Sequence, residues 1–336
     1  MAEQPLLLGV DGGNSKTHLV LARADGTLLG AVAGPTTSHQ QVPMPRAMER
    51  LASLADAAAI QAGLEPGRRP LADMAVVCSA GADLPSDLRN LRAGVAGTGL
   101  ARAARVLNDG FAPLRAGSAR GWGVALICGA GVNCVGMAPD GRVAAFPALG
   151  DISGDWGGGA SVGMAALQAA VRARDGRGAR TQLEHDVPRH FGLRRPIDVT
   201  AALYRRRLRQ ADLRDLAPVV FRAADGGDAV ARGILDRLGD ELALMAVAII
   251  RRLRMARLDL DVVLSGGLFA AGDAPLVERV RSGVRRVAPG ASVESLDVPP
   301  VLGAVLLALD ANGSATPEAE ARLRAQRLTL EPVTGA

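Results

Sequence analysis

The sequence predicts an α/β protein built as two lobes, and three observations predict it. The chain has 336 residues, more than one ordinary hydrophobic core organises. Short apolar runs alternate with longer stretches of helical periodicity, which is the pattern of sheets flanked by helices. One local device also occurs twice: an apolar run, a Gly-rich turn, a second run, an Asp-Gly turn and a third run.

The first copy covers "LLLGVDGGNSKTHLVLARADGTLLGAVA", residues 6–33, and the second "WGVALICGAGVNCVGMAPDGRVAAF", residues 122–146. Asp-Gly between apolar runs is a strong hairpin signal, so each copy reads as strand, turn, strand, hairpin, strand. Between the copies the periodicity predicts helices over 44–64 and 86–100 and strands over 74–81 and 104–109. After the second copy, 158–178 reads as a helix ending in glycines. Residues 181–225 read as helical and Arg-rich, punctuated by Pro188, Pro196 and Pro218. A long amphipathic helix over 228–257 leads to a strand over 260–269, a helix over 275–287, a buried helix over 299–311 and a polar tail.

Composition excludes several classes. The net charge is +5 and the pI about 10.0, but the basic clusters at 204–214 and 249–260 lie in helical patterns. Aromatics are 2%, which leaves little to stack bases on, so no nucleic-acid partner is expected. No apolar run approaches the roughly 18 residues of a membrane span, and "MAEQPLLLG" lacks the basic region and cleavage site of a signal peptide. Cys78, Cys128 and Cys134 show no metal-ligand spacing and fit a reducing cytoplasm. Of 39 basic residues only Lys16 is a lysine, and it sits in the opening loop. A compact ammonium behaves differently there from a planar guanidinium.

A strand that breaks into Gly-Gly before a second strand exposes successive backbone N–H groups, a concavity suited to phosphate oxygens. Gly12, Gly13, Asn14, Lys16 and Thr17 make one such candidate. Asp11 would repel phosphate unless a hydrated Mg²⁺ lies between them, since Mg²⁺ keeps waters and takes few carboxylates. A plain hairpin explains the same glycines equally well. The loop "GAGVN" (129–133), with Gly129, Ala130, Gly131 and Asn133, is a second candidate cradle. The strand ending in Gly266-Gly267 is a third, where a flat group such as adenine could approach the backbone; a strand-to-helix turn is the rival reading.

Taken in order, "GVDGGNSKT", "ICGAGVNCVG" and "VVLSGGLF" resemble the phosphate 1, phosphate 2 and adenosine motifs of the sugar kinase, heat-shock chaperone and actin superfamily. Within it the chain is most similar to the BadF/BadG/BcrA/BcrD ATPase family, which includes N-acetylglucosamine kinases. "GPTTSHQ" (34–40) is similar to the family's sugar-side loop, "GDWGGGASVG" (154–163) to its Gly-Asp-Glu-Gly-Ser segment, and "LND" (107–109) to its catalytic aspartate segment. The resemblance implies two ribonuclease-H-like lobes around an interdomain nucleotide cleft. Residues 1–117 would form the first lobe and 118–300 the second, with a helical insertion over about 181–257 and with 301–336 packing back on the first lobe.

It further implies ATP and Mg²⁺ as cofactors, with Asp11 as the metal residue, a small-molecule sugar as substrate, a homodimer and a cytoplasmic location. Asp109 would be the general base that accepts the sugar hydroxyl's proton. Asp155 would hold sugar hydroxyls, a helix N-cap being its alternative. Ser38, His39, Ser79 and Asn108 would be further sugar contacts, although His39 reads equally as a plain loop histidine. Four positions depart from the family pattern. Ala130 and Val132 stand where hydroxyl residues are usual, so phosphate contact would rest on backbone amides and Asn133. Ser38 replaces an asparagine and Trp156 a glutamate. The expected activity is ATP-dependent phosphorylation of an amino sugar, N-acetylglucosamine first, with a dehydratase-activating ATPase or a sugar-sensing protein as alternatives.

Overall fold

The apolar runs of the first copy fold as three antiparallel strands, β1 (Leu6–Gly12), β2 (Lys16–Arg23) and β3 (Leu28–Pro35). Helix α1 (Met44–Gln61) returns the chain to β4 (Ala72–Ser79), which pairs parallel with β1. Helix α2 (Pro85–Gly97) then leads to β5 (Ala101–Asn108), parallel to β4, and the short helix α3 (Phe111–Gly117) follows. The computed structural model describes residues 4–333. It divides into two units, Met1–Gly123 with Leu296–Ala336, and Val124–Ser295. The sequence reading drew these boundaries at 117/118 and 300/301.

The second unit repeats the plan. Strands β6 (Gly123–Cys128), β7 (Val132–Met137) and β8 (Val143–Ala145) are followed by helix α4 (Gly158–Arg174). Helices α5 (Leu183–His190), α6 (Pro196–Tyr204) and α7 (Ala217–Asp225) precede the long α8 (Ala229–Arg252). Asp228 starts α8 by accepting from the amides of Val230 and Ala231. Strand β9 (Asp261–Ser265), helices α9 (Gly267–Ala270) and α10 (Ala274–Arg285), and strand β10 (Ser292–Ser295) complete this unit. The strand expected over 260–269 therefore stops at Ser265, because Gly266 adopts φ +104° and turns the chain into α9. The first unit closes with α11 (Val301–Asn312), α12 (Pro317–Ala325) and β11 (Glu331–Pro332). The "polar tail" thus contains a helix, started by Thr316, whose hydroxyl accepts from the Ala319 amide.

The strand orders are β11-β3-β2-β1-β4-β5 and β10-β9-β6-β7-β8. Read from β8, the second order is β8-β7-β6-β9-β10, the counterpart of β3-β2-β1-β4-β5. The repeat seen in the sequence is a repeat of topology.

In the first unit the apolar runs are continuous because the sheet is covered on both faces. Leu8, Val10, Leu19 and Leu21 pack with α1 residues Leu51, Leu54 and Ala58. Their neighbours Leu7, Val20 and Ala22 face the other way and pack with α11 residues Val301, Val305 and Leu309. Truncating one such buried leucine to alanine costs roughly 2–5 kcal/mol. Gly9 lets α11 lie directly on β1: a Cβ there would sit 2.5 Å from the Val305 amide nitrogen.

A partly buried ion cluster joins the helices around that layer. Arg115 of α3 donates to Asp310 of α11 (2.9 Å) and, bidentately, to Glu320 of α12 (2.9 and 2.8 Å). Hydrogen bonding to Arg115 holds the Glu320 carboxyl down at about 2. Its charge therefore stabilises the fold above the ordinary glutamate range, and that contribution is lost as pH falls from about 4.5 through about 2. Glu320→Gln should lower the Tm at pH 7 by roughly 4–8 °C, reflecting a break of about 2 kcal/mol in a partly buried pair. Thermal unfolding followed from pH 7 to pH 3 should show the gap between variant and wild type closing.

Candidate active site

In the first unit the ends of three neighbouring parallel strands carry the polar residues. The register aligns Gly12 of β1 with Ser79 of β4, and Ser79 with Asn108 of β5. Asp11 and Asp109 lie one residue to either side of that row. The carboxyl ends of parallel strands are where α/β sheets leave side chains uncommitted to the core.

The turn after β1 is closed by the Gly13 amide donating to the Lys16 carbonyl (3.0 Å), with Asn14 and Ser15 exposed at its corner. Lys16 belongs to β2 rather than to the loop, and its side chain is exposed. Gly12 packs tightly, since a Cβ would lie 3.0 Å from the Thr37 hydroxyl. Thr17 is fully buried. Its hydroxyl accepts from the Thr37 amide (2.9 Å) and lies 3.0 Å from the Thr37 hydroxyl. Thr36 donates to the Gly13 carbonyl at 2.7 Å. These threonines staple the 34–40 loop onto the first hairpin, so Thr17 organises the site from beneath it.

The serines are likewise internal. Ser38 and Ser79 are buried, and both hydroxyls donate to the Ala80 carbonyl, at 3.4 and 3.0 Å. Asn108 donates to Asp83 Oδ1 (2.8 Å) and accepts from the Gly110 amide (2.9 Å), which shapes the turn holding Asp109. His39 is half-buried, with Nε2 4.0 Å from Asp87 Oδ1.

Asp83 was missed in the sequence, where nothing marks it beyond a position four residues after a strand end. It joins the loops: Gln40 donates to it (3.2 Å) and in turn accepts from Asn14 (3.3 Å). Burial pushes the Asp11 carboxyl up to about 7, helped by Asp109 and opposed by Lys16. Burial also lifts Asp83 to about 7, helped by Asp109 and Asp87 and opposed by the Gln40 and Asn108 hydrogen bonds. Three carboxyl groups thus compete for one region of low dielectric.

In the second unit the β6–β7 loop is shorter than "GAGVN". Val132 and Asn133 belong to β7, and Asn133 is buried. What remains is Gly129-Ala130-Gly131, closed by the Gly129 amide donating to the Gly131 carbonyl (2.9 Å). The first turn of α4 is pinned to it through Gly159 N–H to Gly129 O (2.8 Å) and Ala160 N–H to Ala130 O (3.0 Å). Gly158 permits that approach, since a Cβ on it would lie 2.5 Å from Gly131 Cα. Gly129 and Gly131 have no left-handed φ, and a Cβ on either would meet nothing within 4 Å. Neither backbone strain nor packing requires glycine there. The space a side chain would fill is open, so the backbone of this turn is accessible to a group such as a phosphate.

Gly266 and Gly267 divide the work predicted for the pair. Gly266 is required by the fold, for a Cβ would collide with the Cys128 carbonyl. Gly267 faces open space. Asp155 does not cap α4: the N-cap is Gly157, without a side-chain bond, and Asp155 instead accepts from the Ser153 hydroxyl. It lines a cavity of about 460 Å³ with Gly131, Trp156 and Arg237. Arg237 escaped the sequence reading because it is one of many arginines on a long helix. Among the described residues, no three His, Cys, Asp or Glu side chains group as metal ligands, and no helix is long and apolar enough to cross a membrane.

Two units of one topology, each with a glycine-bearing turn at the end of its first strand, have the architecture of the actin-like ATPases and sugar kinases. The profile of the BadF/BadG/BcrA/BcrD ATPase family matches residues 8–308, and the chain belongs to that family. It is 30% identical over 268 residues to the N-acetylmuramic acid/N-acetylglucosamine kinase of Clostridium acetobutylicum, covering 78% of this chain and 85% of the relative. It is 23% identical to the N-acetyl-D-glucosamine kinase of Dictyostelium discoideum, covering 91% and 98%. A solved Chromobacterium violaceum structure, assigned as an N-acetylglucosamine kinase, superposes with a TM-score of 0.71 at 27% identity, covering 90% and 99%.

Because the folded Asp83 carboxyl titrates near 7 against an ordinary 3.8, the fold holds a proton there that the unfolded chain releases. Its cost grows as pH rises through that window and is complete above it. Asp83→Asn should therefore raise the Tm of the ligand-free protein at pH 8, on the order of 2–4 °C. Melts at a series of pH values should show that gain fading toward pH 4.

Proposed function

We propose that this chain is an ATP-dependent carbohydrate kinase that transfers the γ-phosphoryl group to a hydroxyl of an amino sugar, N-acetylglucosamine first. The class follows the family and its kinase relatives. The observation that carries the mechanism is the row of parallel strand ends, which brings Asp109 close enough to Asp11 to raise its carboxyl.

Bound Mg·ATP supplies the phosphoryl group and the cation that neutralises its charge. In the second unit the open backbone at Gly129, Ala130 and Gly131 is the element for phosphate oxygens; in the first unit the exposed Lys16 and the Asn14 corner are the groups suited to phosphate. Asp11 is the residue for Mg²⁺; a carboxyl held near 7 in a half-buried site gains most from a cation beside it. Gly267 leaves room for the base. Asp109 accepts the proton of the attacking hydroxyl, on a turn held by the Asn108–Gly110 hydrogen bond. His39 in the first unit and Asp155 in the second are each suited to sugar hydroxyls, while Ser38, Ser79 and Asn108 support the polar edge of the first unit from within.

The dehydratase-activator alternative needs accessible thiolates for a bridging iron–sulfur cluster. All three cysteines are buried, and burial pushes the Cys128 thiol up to about 12 and Cys134 higher still. That chemistry is disfavoured by burial and protonation.

Asp109→Asn should lower kcat for N-acetylglucosamine by about 10²–10⁴-fold while nucleotide binding is kept. A coupled ADP-release assay with a parallel nucleotide titration reads both. Gly131→Val fills the open cradle, so KM for ATP should rise at least about tenfold with the Tm nearly unchanged, one lost charge-assisted contact being worth that much. Normal ATP affinity in that variant would remove the loop from the role.

A further inference from the structure

Helix α4 serves more than one cavity. Its first turn is pinned to the Gly129–Gly131 loop, and Ser161, Met164 and Gln168 line the cavity to which Asp155 belongs. The same face of the helix continues, at three- and four-residue spacing, through Leu167, Val171 and Arg172. There it lines a second cavity of about 710 Å³, together with Leu203 and Tyr204 of α6. Met164, Gln168 and Gln210 line both cavities, so the two adjoin along the helix. From Ser161 to Arg172 the shared floor runs roughly 16 Å, at about 1.5 Å of rise per residue. One sugar ring covers only part of that length.

The second cavity has a different chemistry from the first. Met164, Leu167, Val171 and Leu203 make its wall mainly apolar. Tyr204, the only tyrosine of the chain, is 88% exposed. Its ring has no aromatic or cation partner among the described residues. Trp156 in the first cavity is already covered, with the Arg237 guanidinium carbon 4.0 Å from the ring centroid. A bare ring bordering an apolar cavity is surface that a ligand can take out of water. The cations at the far end do not call for an anion. Arg177 donates to both Asp175 oxygens (3.0 Å each from Nε), and Arg172 donates to the Arg177 carbonyl (2.9 Å). The occupant that fits is neutral and apolar.

We propose that the acceptor site continues along α4 into this cavity, so that the acceptors include amino sugars carrying a neutral apolar substituent such as an aryl group. This rests on the kinase reading above and extends its substrate class. Continuity with the Asp155 cavity through three shared side chains selects a substituent of the sugar over a separate apolar partner.

The test uses the full chain with Mg·ATP and two matched pairs of acceptors. One pair is the phenyl and methyl β-glycosides of N-acetylglucosamine, and the other is N-benzoylglucosamine and N-acetylglucosamine. In at least one pair the aryl member should have a KM about 10- to 100-fold below its small counterpart, the range for burying one aromatic ring. Tyr204→Ala and Val171→Asp should each bring that ratio toward one, and Tyr204→Phe should keep it. A thermal melt checks that each variant folds. The proposal is overturned if both pairs give ratios near one in the wild type, or if the ratio survives Tyr204→Ala and Val171→Asp. It is also overturned if those variants raise the KM of all the sugars equally, or if Tyr204→Ala splits a dimer while the ratio stays unchanged (the face then being a contact between copies). Should no sugar elicit ADP release, the kinase reading fails. Direct titration of the same pairs into wild type and Tyr204→Ala then decides the subsite by itself: an aryl preference lost in the variant supports it, and equal affinities overturn it.

Discussion

The half-burial of carboxyl groups beside Asp109 is the constraint around which the first unit is arranged. Burial, and then the Asp109 charge, raises the carboxyls of both Asp11 and Asp83, and the exposed Lys16 is the cation that counters Asp11. A fold selected for stability alone would not gather three acids at one edge of a buried sheet. The cost is tolerated because neighbouring parallel strands end together, and the surrounding hydrogen bonds keep the geometry fixed. Asn108 and Gln40 both donate to Asp83, and the threonine contacts lock the adjoining loop to the first hairpin. The arrangement stores unfavourable electrostatics that a bound cation would relieve.

Rigid support follows from the layers beneath. The sheet of the first unit is covered on both faces, by α1 and α2 on one side and α11 on the other. Gly9 brings α11 against the backbone of β1, the strand that ends in Asp11. The Arg115 cluster joins α3, α11 and α12, and α3 directly follows the Asp109 turn. Packing far from the polar edge thus determines where that edge sits.

Much of this was legible in the sequence, for identifiable reasons. The duplicated run-and-turn pattern is a statement about topology, and the strand orders of the two sheets repeat it. Elements with continuous apolar runs, such as β1, β2 and β9, were located correctly because burial on both faces leaves no ambiguity of period. Ends were less legible, since Gly266 acts through a left-handed φ and a close approach of Cys128 that no local pattern announces. Helix α12 was read as tail because it is short and mostly polar outside Ala319 and Leu323. At the site, residue types were visible but their commitments were not. Ser38, Ser79 and Thr17 are hydroxyl residues in the expected segments, yet their hydroxyls are engaged inside the fold. Asp83 and Arg237 were invisible because their meaning arises from long-range partners, Asn108 for one and Trp156 for the other.

The two glycine turns show how one topology can be put to different uses. In the first unit Gly12 packs tightly against Thr37, and the turn offers an exposed corner of Asn14 and Ser15 beside a lysine. In the second, Gly158 is consumed by packing so that Gly129 and Gly131 remain open, and the first turn of α4 braces the loop through backbone bonds. Glycine is therefore an ambiguous letter in a site motif: at some positions it serves the fold, and at others it keeps a volume empty. The distinction is physical and can be made position by position. A side chain that would strike backbone marks a structural glycine, whereas at a position where it would meet nothing, at an ordinary φ, the fold does not demand glycine and the backbone stays open to approach.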